Sequence, residues 1–418
     1  IISEIRKRRI ERVKIKRELQ RTEKQALKEI KTNKDKLRRL VTPPFLGRGV
    51  SGKLNFKGGD EKRIEELRIP KLENLSDLSN YLDIRENKIA WLCYHREVTS
   101  CDHYHRFNIP KKDGSPRIIA APKTYLRNVQ TWINAEILAQ IEPENAATAF
   151  RKERNILDNA NPHCDRGLVI RVDLKDFFFS ITFPRVRGIF ESLGYNSGIS
   201  TVLALLCTDT DRKKISYKSR DWFVSEGIRR LPQGATTSPA LSNLIVRKLD
   251  RRINGLLNSI DKDWVYTRYA DDIILSADNE EVLRKLAAMV SGLLQEFVGA
   301  EIKLNETKTR CLQKGQKVKL LGVVILPNGQ ISIDRADKVE IETLLHFYLT
   351  NDDKFLGYGL ALKNKKTKND KIITRENVIS MLSGRLIGAN AMAPEYLLKL
   401  RQKYGNTIID MFLHKSAK

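Results

Sequence analysis

Asp271 and Asp272 are adjacent in Tyr269-Ala270-Asp271-Asp272, between Trp264-Val265-Tyr266-Thr267-Arg268 and Ile273-Ile274-Leu275-Ser276. Neighbouring carboxylates repel, and both stay ionised only beside strong positive charge, usually a divalent cation. Alone, such a pair reads first as a surface turn. A third acid shifts the balance: Asp173 ends the apolar run Gly167-Leu168-Val169-Ile170-Arg171-Val172. One Asp at a strand end, set beside a strand-turn-strand carrying two more, is a layout that holds two Mg²⁺ ions. One ion would activate an attacking 3′ hydroxyl and the other would stabilise departing pyrophosphate. Nucleotidyl transfer of this kind is mostly positioning and charge neutralisation, so carboxylates are what it needs. The reading requires the three acids to converge within a few ångströms, about the reach of a bridged cation pair, and not to be locked by arginines.

The elements that would carry these acids are legible. Both flanks of the acidic pair are β-branched, aromatic and apolar, hence short strands, and residues 167–172 read as a buried one. His105 to Ala120 reads as a hairpin turning at Lys111-Lys112-Asp113-Gly114, where Lys111, Lys112 and Arg117 could grip a triphosphate or a template backbone. Residues 122–141 follow as a long helix. Residues 208–230 form a charged, hairpin-like insertion. Leu231-Pro232-Gln233-Gly234-Ala235 begins a small-residue turn into a helix from Ala240 to about Leu257, which lets backbone approach a substrate closely. Glu281 to Phe297 is amphipathic and helical. Lys308 in the next segment is a candidate for protonating pyrophosphate, against the plain alternative of an exposed lysine. Val318 to Ile325 and Ile331 to Ile333 read as a hairpin around Pro327-Asn328-Gly329. Residues 336–418 are helical, with Lys363, Lys365, Lys366, Lys368 and Lys371 crowded into one charged loop that could touch nucleic-acid backbone.

The chain has 418 residues, 76 Lys+Arg against 51 Asp+Glu, a net charge of +25 and a pI near 9.8. That surplus points to a polyanionic partner, most simply nucleic acid. No apolar run approaches a bilayer span, so no membrane role is expected. Five scattered cysteines fit a reducing cytoplasm better than a disulfide scaffold. Residues 1–40 hold 16 Lys+Arg and 6 Asp+Glu and read as one or two basic amphipathic helices, either a binding arm or a helix packed on the body. Gly47-Arg48-Gly49-Val50-Ser51-Gly52-Lys53 imitates a phosphate loop. It lacks the following Ser or Thr and a preceding strand, so it reads as linker. Cys93, His95, Cys101, His103 and His105 match no zinc spacing and read as packing.

Together these pieces resemble one family. Val172-Asp173-Leu174-Lys175-Asp176-Phe177-Phe178, Leu231-Pro232-Gln233-Gly234 and Tyr269-Ala270-Asp271-Asp272 look, in that order, like the palm motifs of reverse transcriptases. Asn159-Ala160-Asn161-Pro162-His163 matches the N-A-x-x-H signature of bacterial retron reverse transcriptases. The resemblance implies an α+β right-hand polymerase of fingers, palm and thumb, with a basic helical N-terminal extension. The expected division is 1–62 arm and linker, 63–170 N-terminal helices and fingers, 171–195 first palm segment, 196–230 insertion, 231–335 palm and 336–418 thumb.

It also implies two Mg²⁺ ions, with Mn²⁺ as substitute, on Asp173, Asp271, Asp272 and the Leu174 carbonyl. Lys111, Arg117, Asp176, Phe177, Phe178, Gln233 and Gly234 would surround the incoming dNTP, and Phe178 would exclude a ribose 2′-OH. Asn159, Ala160, His163, Leu320, Leu321, Gly322, Lys363, Lys365 and Lys366 would hold RNA. Retron enzymes use a structured noncoding RNA as template and primer, make an RNA–DNA hybrid, and commonly act with an effector protein in anti-phage defence. This chain departs from them at Leu320-Leu321-Gly322, where the family typically has Val-Thr-Gly. Other bacterial reverse transcriptases, an RNA polymerase and an idle RNA-binding scaffold are the competing readings.

Overall fold

A computed structural model describes residues 2–41, 56, 58–93, 97–110, 115–174, 177–260, 264–279, 281, 285, 288–290, 292, 310–313, 317–366 and 374–414. In chain order its helices include α1 (Ile2–Val41), α2 (Glu61–Glu66), α3 (Leu75–Leu82), α4 (Glu86–Leu92), α5 (Thr124–Trp132), α6 (Ile156–Ala160), α7 (Phe183–Ser192), α8 (Ser197–Cys207) and α9 (Ser238–Ile260). The strands are β1 (Val98–Thr99), β2 (Tyr104–Pro110), β3 (Pro116–Pro122), β4 (Leu168–Asp173), β5 (Asp209–Tyr217), β6 (Arg220–Arg230), β7 (Trp264–Tyr269), β8 (Asp272–Ala277), β9 (Arg310–Gln313), β10 (Val318–Leu320), β11 (Val323–Ile325) and β12 (Ile331–Ile333). The chain divides into two units, one of residues 1–107, 118–142 and 178–245, the other of 108–117, 143–177 and 246–418. It is a mixed helix-and-strand fold.

The first unit is built around α8, whose residues Gly198 to Cys207 are all buried. A helix apolar on every side can only be a core rod, and Asn196 caps it by accepting the Ile199 N–H at 2.9 Å. The expected 122–141 helix is α5 continued by a wider turn at Ile133–Ile137 and a tight one at Leu138–Gln140. The 208–230 insertion is the β5–β6 hairpin, which joins β1 in a sheet of order β1-β6-β5. α1 is a single helix. Its described residues 11–34 are all exposed, including Leu19, Leu27 and Ile30 at 60–66%. Over that stretch the helix packed on the body is overturned.

The second unit is organised by an antiparallel sheet of order β7-β8-β4-β9. All six residues of β8 are buried, and β4 is nearly so, which is why both read as continuous apolar runs. Val318 to Ile325 is not one strand. It is β10 and β11 joined by a two-residue turn, with Leu321 at φ 51° and Gly322 at φ 98°, and β12 completes a meander. The lysine-rich loop is corrected as well: Lys363, Lys365 and Lys366 lie in the helix Asp352–Lys366. That helix packs with Arg335–Thr350, Arg375–Met392, Pro394–Tyr404 and Asn406–Leu413 around Leu344, Leu345, Phe355, Leu382 and Phe412.

A branched side chain in the left-handed region costs about 1–2 kcal/mol, and this kind of turn favours Asn-Gly. Leu321→Asn is therefore expected to raise the unfolding free energy by about 1 kcal/mol, read as a higher urea midpoint. A lower midpoint would mean that packing of the Leu321 side chain outweighs its strain.

Candidate active site

Strand pairing creates the site. In the β4–β8 register Asp173 lies directly opposite Asp272, and Tyr269 pairs with Asp272 across the β7–β8 turn. Asp271 therefore occupies the two-residue turn at the end of β4, and its carbonyl accepts the Leu174 N–H at 3.0 Å. The other turn residue, Ala270, sits at φ 56° and is 6% exposed. A buried left-handed position tolerates only a small side chain.

Burial pushes the Asp271 carboxyl up to about 6; the charges of Asp272 and Asp173 add to the rise, while a backbone N–H and Arg117 oppose it. Three acids and one arginine of the expected set are thus brought into electrostatic contact. Asp173 and Asp272 are each 7% exposed.

Asp272 is not disposed as expected. Arg171 projects from β4 and grips it with two hydrogen bonds, Nε to Oδ1 and Nη2 to Oδ2, each 2.8 Å. A bidentate guanidinium–carboxylate pair is among the stronger polar contacts, and its guanidinium side is only about one-third open (34%). The metal-ligand role of Asp272 is corrected on that ground: one of the three acids is held by an arginine. Consistently, among the described residues no three His, Cys, Asp or Glu side chains are gathered tightly enough to grip an ion as they stand.

The residues still fit a divalent cation. Hard carboxylate oxygens are its natural donors, and the raised Asp271 marks a buried spot where two further acids add to the cost of its charge. Asp173 and Asp271 would hold it.

Other expected residues fall into three groups. Lys111, Asp176 and Lys308 lie outside the described residues, as do the side chains of Lys365 and Lys366. Phe178, Gln233 and Gly234 belong to the first unit. There the Gln233 carbonyl accepts the Ala120 N–H at 2.7 Å, and its side-chain Oε1 is buried with no partner among the described residues. Gly234 has φ 108°, and a Cβ there would meet Ile119 Cγ2 at 2.8 Å, so only glycine fits. Phe178 is partly exposed, whereas Phe177 is 1% exposed and cannot touch a nucleotide, which corrects that expectation.

The third group is buried. Asn159, Ala160 and His163 are 0, 0 and 1% exposed. Asn159 Nδ2 donates to Thr148 Oγ1 at 3.1 Å and Thr267 Oγ1 at 3.0 Å. His163 bonds Ser276 Oγ at 2.7 Å through Nδ1 and Thr267 Oγ1 at 2.8 Å through Nε2. Burial, aided by Arg166, pushes the His163 ring down to about 3, so it is neutral. These side chains brace β7 and β8 and cannot reach RNA directly. Leu320 is likewise 0% exposed in the cluster with Val169 and Ile274, and its expected RNA contact is corrected too.

Sequence reasoning missed Asp250 and Arg268. Both are wholly buried. Arg268 donates to Asp250 at 2.9 and 2.7 Å and to the Ala270 carbonyl at 3.1 Å, so this pair holds the turn that presents Asp271. A charged residue just before the acidic pair and an Asp inside an otherwise apolar helical stripe were the available signals.

A buried antiparallel sheet presenting paired acids at a strained turn defines the palm of a nucleotidyl polymerase. Residues 109–325, just over half of the chain, match the family model described as reverse transcriptase (RNA-dependent DNA polymerase). The chain is 35% identical over 277 residues to the retron Mx162 reverse transcriptase of Myxococcus xanthus, covering 65% of this chain and 57% of that protein. It is 32% identical over 294 residues to the retron Mx65 reverse transcriptase of the same organism (70% and 67%). Against the retron Ec86 reverse transcriptase of Escherichia coli the identity is 30% over 345 residues (82% and 94%). The chain belongs to the bacterial retron-type reverse transcriptases.

Two tests follow from the charge balance. The folded protein binds a proton at Asp271 more tightly than the unfolded chain does, so stability from this group is full below about pH 4 and is lost as pH rises through about 6. Without divalent ions, Asp271→Asn is expected to melt higher than the parent above pH 6 and to lose that advantage near pH 4. A pH-independent difference would refute the assignment. Arg171→Gln removes the guanidinium that grips the buried Asp272 carboxylate, so it is expected to melt lower without metal and to gain more from added Mg²⁺ than the parent. Equal Mg²⁺ gains would show that Arg171 does not keep Asp272 from ions.

Proposed function

We propose that this chain polymerises dNTPs into DNA on a structured noncoding RNA that supplies both template and primer, as a retron reverse transcriptase acting in anti-phage defence. The observation that carries the polymerase reading is the register placing Asp173 opposite Asp272, with Asp271 in the adjoining turn. Membership in the retron-type family and the net charge of +25 support a folded RNA as partner. A bacterial effector protein is a further expected partner. Among the described residues no helix is long and apolar enough to cross a membrane.

Two Mg²⁺ ions, when bound, would activate the 3′ hydroxyl and neutralise the pyrophosphate that leaves. Asp173 and Asp271 would hold them, with the Leu174 carbonyl as an additional oxygen. Arg117, whose charge is felt at Asp271, would offset the triphosphate. Gln233 and Gly234 would bring backbone and an unsatisfied amide oxygen to the base or sugar, and Phe178 would fill the space of a 2′-OH. Lys111, Asp176 and Lys308 complete the proposed nucleotide set. Leu321, Gly322, Lys363, Lys365 and Lys366 remain as proposed RNA contacts. The fingers, palm and thumb are assigned to the segments bounded at 62, 170, 195, 230 and 335.

The decisive experiment is purification of the chain with its bound nucleic acid. A short DNA joined to a folded RNA is expected, and heterogeneous RNA alone would favour another bacterial reverse transcriptase. Asp173→Asn with Asp271→Asn is expected to keep RNA affinity while extension falls by at least roughly a thousandfold. Retained synthesis would remove these acids from the chemistry.

A further inference from the structure

We infer that the open face of the β1–β6–β5 sheet is a stacking platform for a single-stranded stretch of nucleic acid. The inference rests on the polymerase reading only for why such a strand is at hand. Strand pleating puts alternate residues on one face. Cross-strand pairs Ile215–Trp222 and Tyr217–Arg220, together with Lys213–Val224 and Val98–Val224, therefore gather Val98, Lys213, Ile215, Tyr217, Arg220 and Trp222 on the same side. This side faces solvent: Val98 is 49%, Ile215 44% and Tyr217 62% exposed. The opposite side of β5 and β6 carries its own neutralised pair, Lys214–Asp221 at 2.8 Å.

A row of aromatic and aliphatic side chains left wet is unusual for a surface serving only solubility. Its chemistry is specific. Tyr217 is the exposed ring on which unpaired bases can stack whatever their sequence, and the half-buried Trp222 lies diagonal to it two register positions along. Lys213, Lys218 and Arg220 rim them, and none has a carboxylate within ion-pair distance among the described residues. The Lys218 ammonium already lies 5.4 Å from the Tyr217 ring centre. Uncompensated cations beside the exposed Tyr217 ring and the half-buried Trp222 complement a strand of phosphates with unstacked bases.

A protein strand adding to the sheet is the competing occupant, since β5 is an edge. Adjacent Lys213 and Lys214 are a common device against that pairing. A duplex would offer phosphates but no base faces, so it would use the cations and leave Tyr217 idle.

The test uses the full chain and three fluorescein-labelled probes of equal length: oligouridylate, oligothymidylate and a blunt duplex. Tyr217→Ala is expected to weaken both single strands by roughly tenfold and the duplex by less than about twofold. Tyr217→Phe should bind like the parent, and single strands should quench Trp222 emission in the parent. A preference between the first two probes reports whether RNA or DNA is the strand. Equal loss on duplex and single strands, no loss, or a Tyr217→Phe defect equal to that of Tyr217→Ala would overturn the platform. So would loss of a co-purifying protein with single-strand affinity intact. Because Tyr217 is 62% exposed, unfolding is not at issue, and a melting curve checks it. Extension of an annealed primer by the parent is measured alongside. Absent extension with normal probe binding would sink the polymerase reading and leave the platform standing.

Discussion

The buried pair Asp250–Arg268 is the contact on which the turn carrying Asp271 depends. Arg268 is 0% exposed, and its guanidinium is shared between both oxygens of Asp250 and the carbonyl of Ala270. Tyr266 donates a third hydrogen bond to Asp250 at 2.6 Å. Burial alone would lower the proton affinity of Arg268, but the Asp250 charge and hydrogen bonds outweigh it and the guanidinium is held more firmly protonated. Breaking such a pair by removing one partner usually costs about 3–5 kcal/mol, because an uncompensated charge stays behind. The backbone of Arg268 is pinned as well: its N–H donates to Ala146 at 2.7 Å, and its carbonyl accepts from Thr148 at 2.9 Å. A residue fixed through side chain and main chain can force its neighbour Ala270 into the left-handed region.

That rigidity explains how the site tolerates its own charge. Three acids crowd one end of a sheet whose strands are buried, and each would relax apart if the backbone allowed. Register denies it, since β4 and β8 are locked by six consecutive pairs that end at Asp173–Asp272. The excess charge is met locally instead. Arg171 takes Asp272, Arg117 lowers the proton affinity of Asp271, and Asp271 remains raised to about 6. Asp271 thus bears the cost of burial and of two neighbouring acids, while Asp272 is paired with an arginine.

Much of this was legible in sequence, for a physical reason. β4 and β8 are buried on both faces, so they read as largely apolar runs, and the acids at their ends stood out against apolar neighbours. What stayed hidden depended on partners remote in the chain. Nothing near Asp250 announces that its counter-ion is 18 positions away on a strand. Arg171 reads as an interruption in an apolar strand until the β4–β8 register sets it diagonal to Asp272. Leu321 hides a turn because leucine is a poor turn residue, and only its φ of 51° discloses that the apolar run doubles back.

The Asn159–His163 signature shows why a motif can be recognised correctly and its role misplaced. Recognition needs only residue types at a spacing, whereas a role needs to know which way the side chains face. Both polar members converge on one hydroxyl, Thr267 Oγ1, at 3.0 and 2.8 Å. His163 adds Ser276 on the adjacent strand at 2.7 Å. A neutral imidazole bonded at both ring nitrogens has no donor left for a phosphate. Thr267 is next to Arg268, so α6 and the residues after it brace the same strand that the Asp250 pair clamps. Side chains that water reaches lie elsewhere, in the first unit on α1 and on the open face of β5 and β6. On this view the signature holds β7 and β8 still.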